Sequence, residues 1–170
     1  MPEILKINMQ PVWEQIDDLR SRCEACLLGH GIHPDVAQAV AMVTSELGEN
    51  AAKYGDFEEA ETRGPSGPER TTIDVKVALT PARITVEVRN PVSPEQSEQL
   101  GLLDRTIQWI RGFQDPFQAY LERMREVSGQ SLSSSESRLG LVRIAYEGQS
   151  ALDFFVGDDN ILVVSATYSR

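Results

Sequence analysis

The residues with the clearest chemical content lie in one run, Glu46-Leu47-Gly48-Glu49-Asn50-Ala51-Ala52-Lys53-Tyr54-Gly55. At about 100° per residue, Glu46, Asn50 and Lys53 fall within about 60° of one another on a helix. Val36, Val40, Val43, Leu47 and Ala51 form the adjoining apolar stripe, so the row flanks a core-facing surface. An Asn oxygen is a hard ligand that can hold Mg²⁺ directly or through water. A carboxylate one turn earlier can take a proton from an attacking hydroxyl, and a lysine can steady a phosphate. The same spacing also fits a plain solvated flank in which Glu49 and Lys53 pair four residues apart. Spacing alone leaves both readings open.

A second candidate is the pair Cys23-Glu24-Ala25-Cys26, with His30 and His33 close behind. A C-x-x-C pair can be redox-active or form half of a zinc site. Val12, Ile16, Leu19, Cys23 and Cys26-Leu27 recur at helical spacing, however, which puts both thiols on the apolar stripe of an amphipathic helix. Burial as small hydrophobes accounts for them more simply.

The elements that must position these residues follow from periodicity. Residues Glu3 to Met9 alternate like a strand, and a helix is expected from Pro11 to about His30, stopped by Gly29 and Gly31. Pro34 and Asp35 suit the first turn of a second helix that runs to Tyr54 and ends at Gly55. The stretch 56–70 is poor in apolar residues and reads as a flexible loop. Strands follow at Thr72–Leu79 and Arg83–Val88, then helices through Leu100–Ile110 and Phe117–Met124. The serine-rich stretch 128–138 reads as a flexible linker. A short helix, Leu139–Tyr146, leads into a closing hairpin of Ala151–Val156 and Ile161–Tyr168. Consecutive hairpins with segregated helices predict an α+β fold. It should be a two-layer α/β sandwich with a mixed, mostly antiparallel sheet and helices on one face. The length of 170 residues predicts a single domain over 1–170. With 26 acidic and 16 basic side chains the net charge is −10, which argues against nucleic acid and anionic membranes as partners. No apolar run approaches the ~20 residues of a membrane span, and a cytoplasmic protein is expected.

The run from Glu46 resembles the N box of the GHKL, or histidine-kinase-like, ATPases, E-x-x-x-N-A-x-K followed by His or Tyr and a small residue. Glu46, Asn50, Ala51, Lys53, Tyr54 and Gly55 carry the match. Leu139-Gly140-Leu141-Val142-Arg143-Ile144-Ala145 resembles that superfamily's later glycine box, G-L-G-L-x-x-I-A. The likeness spans about Glu3 to Ser169 and implies a Bergerat-like ATP-binding fold. Two subgroups are similar, the anti-sigma-factor serine kinases and the SiaB-type kinases. The latter share extra helices between the boxes, as at Glu95–Val127, and an ending that runs on through Asp153-Phe154-Phe155. Both belong to bacterial partner-switching systems, in which a kinase phosphorylates a small partner protein on Ser or Thr.

The resemblance implies ATP and Mg²⁺ as cofactors, with Glu46 as catalytic base, Asn50 as the metal ligand and Lys53 as a phosphate contact. Gly140 would lie near the phosphates. Where the superfamily has Asp-x-Gly-x-Gly, this chain has Arg89-Asn90-Pro91-Val92-Ser93-Pro94, which makes Asn90 the candidate adenine contact and leaves no glycine there. Arg138 replaces a second glycine ahead of Gly140. Two function classes follow: an Mg·ATP-dependent Ser/Thr protein kinase acting on a small regulatory protein, or a nucleotide-poor relative that binds and sequesters a partner. A second copy of the chain, as a homodimer, is a further candidate partner.

Overall fold

Strands form where apolar and polar residues alternate, because a strand sends successive side chains to opposite faces. The computed structural model describes residues 2–55, 57, 72–128 and 139–170. Within it β1 (Glu3–Met9), β2 (Ile73–Leu79), β3 (Arg83–Pro91), β4 (Ser150–Val156) and β5 (Ile161–Ser169) make one sheet in the order β1-β2-β3-β5-β4. All its pairings are antiparallel, so the mixed arrangement allowed by the sequence is not the one adopted. Register sets Val75 against Val88 and Val77 against Val86, and these residues are buried together with Ile73 and Ile84. The other face is mostly polar, Val163 and Phe155 excepted. There Asn8 donates to Asp74 at 2.6 Å, Lys76 lies 3.3 Å from Glu3, and Arg89 lies 2.8 Å from Glu87. One buried face and one solvated face make the two-layer α+β sandwich.

The helices are α1 (Trp13–Gly29), α2 (Pro34–Tyr54), α3 (Ser97–Arg111), α4 (Pro116–Ser128) and α5 (Leu139–Tyr146). Helix α1 buries Ile16, Leu19, Cys23 and Leu27, while α2 buries Val40, Val43, Leu47 and Ala51. They approach closely at Gly48, where a Cβ would lie 3.1 Å from Leu19 Cδ2. At the start of α2, the His33 side chain accepts from the Asp35 N–H at 3.2 Å, and Pro34 sits where its missing N–H costs nothing. Tyr146 of α5 meets the rings of Phe117 and Tyr120 on α4, with centroids 5.0 and 5.1 Å away. Arg111, at the end of α3, donates to the Leu152 carbonyl on the edge strand β4.

The differences from the sequence reading lie at element ends. Helix α1 begins at Trp13 rather than Pro11, because Val12 stays extended (φ −123) and its N–H donates to the Gln10 carbonyl at 2.8 Å. Beyond α1, Gly31 takes the left-handed conformation (φ 76). Strand β3 continues past Val88, with Asn90 opposite Leu162 and Pro91 opposite Ile161. The β5 ladder holds it there, and Pro91, which has no N–H to add to the ladder, is its last residue. Apart from Phe57 and the α4 end at Ser128, the loops expected at 56–70 and 128–138 lie outside the described residues. Among the described residues no helix is long and apolar enough to cross a membrane.

Both cysteines are engaged inside the fold. Cys23 Sγ lies 3.4 Å from the Thr44 hydroxyl, and Cys26 Sγ donates to the Ile4 carbonyl at 3.3 Å. Burial pushes the Cys23 thiol up to about 11. Among the described residues no group of three or more His, Cys, Asp or Glu is arranged to hold a metal.

Candidate functional site

The last two turns of α2 present Glu46, Asn50 and Lys53 along one edge, as their spacing requires. That edge faces the first turn of α5 and the adjacent ends of β3 and β5. A cavity of about 310 Å³ lies between them, within the size range of small-molecule sites. Glu46, Asn50, Lys53, Asn90 and Gly140 all line it, although they come from three elements and span most of the sequence. The remaining wall is largely aliphatic, with Val88, Leu162 and Val164 from the sheet and Leu100 and Leu103 from α3.

Asn90 is buried at 3% exposure, and its amide nitrogen donates to the Pro91 carbonyl at 3.1 Å. That bond leaves the amide oxygen as the acceptor side of the group. Asn50 is half-buried and Lys53 is exposed. Glu46 accepts from Arg143 Nη1 at 2.7 Å, and the same guanidinium donates through Nε to Glu147 at 2.9 Å. Burial is the main influence on Glu46 and pushes its carboxyl above the ordinary range. Arg143 opposes that shift, Glu49 adds to it, and Lys53 and Arg20 oppose it. A 2.7 Å ion pair alone would favour the charged form. Burial prevails because Arg143 is itself part-exposed and shared with Glu147.

Gly140 lies directly beneath this pair. A Cβ built on it would stand 2.6 Å from Glu46 Oε2, so the carboxylate occupies the space that the missing side chain leaves.

The fold resembles that of a chain in a crystal structure of the SiaB–SiaC complex from Pseudomonas aeruginosa. The TM-score is 0.64 at 21% sequence identity, covering 99% of this chain and 91% of that one. No family model matches the sequence. No curated protein matches it either. At this identity the likeness concerns the fold.

Arg143, Glu147 and Gln96 were not singled out by sequence reasoning. Arg143 lies one turn beyond Gly140 within the glycine-box run, a position with no side-chain role of its own in that pattern. Gln96 carried a usable signal. Ser93-Pro94-Glu95-Gln96 has the spacing of a capping box and forms one, in which the Ser93 N–H donates to Gln96 Oε1 at 2.8 Å; the Ser93 hydroxyl also accepts from the Glu95 N–H at 3.1 Å. Gln96 Nε2 also donates to the Tyr54 carbonyl at 2.8 Å. This ties the segment between β3 and α3 to the end of α2.

Proposed function

We propose that this chain is a regulatory protein of a partner-switching pathway, an Mg·ATP-dependent Ser/Thr protein kinase acting on a small partner protein. The observation that carries the reading is the convergence of Glu46, Asn50, Lys53, Asn90 and Gly140 on one cavity. A fold shared with a chain of a two-protein complex supports a protein partner.

The residues present fit a nucleotide. The aliphatic walls and the buried Asn90 amide suit a flat base with a hydrogen-bonding edge. Lys53 and Arg143 supply cations for phosphate oxygens, and Asn50 supplies the single oxygen that Mg²⁺ needs beyond phosphates and water. When bound, Mg·ATP supplies a transferable phosphoryl group whose charge the metal offsets. In this reading Asn90 orients the base, Asn50 fixes the metal's position, and Lys53 neutralises phosphate. Glu46 takes the proton from the partner's hydroxyl. A carboxyl raised by burial is a better proton acceptor than an ordinary one once ionised.

A second reading, a nucleotide-poor module that sequesters its partner, is favoured by one observation. Glu46 is already held by Arg143, and its second oxygen fills the space over Gly140. Calorimetric titration with Mg·ATP separates the two. The kinase reading expects binding by wild type and a steep loss in Asn50→Ala, with thermal stability within about 1 kcal/mol of wild type because alanine favours helix. Wild type that binds no Mg·ATP would reject the kinase reading. Undiminished binding in Asn50→Ala would reject the metal role alone.

A further inference from the structure

Arg143 joins two carboxylates on opposite sides. Its Nε side is held by Glu147, four residues along the same helix, and its Nη1 side reaches Glu46 across the cavity, 97 residues away in sequence. Arg143 and Glu46 line the cavity, whereas Glu147 does not. Glu147 therefore fixes the guanidinium from outside while leaving one edge directed inward. Arg143 gives each carboxylate one hydrogen bond rather than the paired, two-bond contact that makes Arg–carboxylate pairs strong, and Glu147 also accepts from the Tyr120 hydroxyl at 3.5 Å.

We propose that Arg143 is a phosphate-sensing residue: its inward edge exchanges the Glu46 carboxylate for the terminal phosphate of a nucleoside triphosphate, which frees Glu46. This rests on the nucleotide reading above. The exchange is favoured because a terminal phosphate brings more negative charge than one carboxylate into a concave, largely aliphatic site. Glu46 holds the inward edge of Arg143 by one hydrogen bond, and a phosphate that engages the guanidinium fork through two can displace it. Glu147 keeps the guanidinium in place when Glu46 lets go, so the arginine need not be reoriented. Released from Arg143, Glu46 loses its largest charge-stabilising neighbour and binds a proton more tightly; Glu49 acts in the same direction, and Lys53 and Arg20 against it. The base is thus neutralised in the free protein and liberated only by a ligand that carries the terminal phosphate. Arg143 accordingly discriminates triphosphate from diphosphate.

The test compares the affinities of a non-hydrolysable ATP analogue and of ADP, each with Mg²⁺, in wild type, Arg143→Gln and Arg143→Lys. Inorganic tripolyphosphate is a third probe. Wild type should prefer the triphosphate by about tenfold, the scale of one charge-assisted hydrogen bond. Arg143→Gln should bring the ratio close to one, and Arg143→Lys, which keeps the charge but loses the fork, should retain part of it. In wild type, the ¹³C resonance of the Glu46 carboxyl should titrate at higher pH with the ATP analogue bound than with ADP bound. Tripolyphosphate producing the same shift assigns the effect to phosphate rather than to the nucleoside. Equal affinities in wild type, an unchanged preference in Arg143→Gln, or a Glu46 titration indifferent to the third phosphate each overturns the role of Arg143 and leaves the nucleotide reading standing. Failure of wild type to bind any of the three probes overturns both.

Discussion

Burial and a nearby guanidinium act on Glu46 in opposite directions, and burial is the larger. The folded protein therefore binds this proton more tightly than the unfolded chain, where a glutamate titrates at about 4.3. The stability that Glu46 contributes is fully present below that value and is lost as pH rises through the higher folded value. Glu46→Gln removes the titration, so the stability of wild type minus that of the variant should fall with rising pH across this window and then level off. Denaturant unfolding at a series of pH values measures it, and a difference that rises with pH contradicts the assignment. Gly140 gives a second prediction. Gly140→Ala places a methyl 2.6 Å from Glu46 Oε2, which displaces a side chain tied by Arg143. The expected loss is about 1 kcal/mol, in the range of overpacking. In a Glu46→Ala background the space is empty, and the substitution should stabilise by roughly 0.5 kcal/mol through helix propensity. The sign reversal, read from a double-mutant cycle, is the diagnostic. Two costs that simply add would exclude the contact.

At the scale of elements, the segment between β3 and α3 is positioned by hydrogen bonds rather than by glycines. Pro91 ends a paired strand, Val92 donates to the Asn160 carbonyl at 2.9 Å, and Gln96 caps the next turn while reaching Tyr54. Gln96→Ala removes three side-chain bonds, with the Ser93 N–H, the Tyr54 carbonyl and Gln99 Oε1. It should cost about 1 kcal/mol, as lost caps do, and accelerate amide exchange from Ser93 through Leu100 without affecting β1 or β2. Unchanged exchange in that segment would mean the latch contributes nothing. Most elements were legible because each has a consistent period: α2 has apolar residues three and four apart, and β2 and β3 alternate strictly. The end of β3 was not legible. Asn90-Pro91 reads locally as a strand break, and only the facing residues Leu162 and Ile161 extend it.

The whole molecule carries a net charge of −10 in 170 residues. Even with Lys53 and Arg143 in the cavity, that field opposes polyanions too large to enter it. Fluorescence anisotropy with duplex DNA at about 150 mM salt should show no binding; saturable binding there would contradict this reading of the charge. At this scale the division between sequence and tertiary structure is clear. The sequence by itself determined the antiparallel hairpins, the extent of α2 and the alignment of Glu46, Asn50 and Lys53, because backbone geometry fixes which residues share a face within a few positions. A resemblance in sequence singled out Asn90 and Gly140 as candidates, but it did not show that they share a cavity with α2. The meeting of Glu46 with Arg143, the seat of its carboxylate over Gly140 and the turning of the Asn90 amide nitrogen toward Pro91 were decided only by the tertiary structure. The first two contacts depend on how α5 packs against α2, and the third on how far β3 runs along β5. Packing and register of that kind are set by the faces of the whole chain at once, and no local period encodes them.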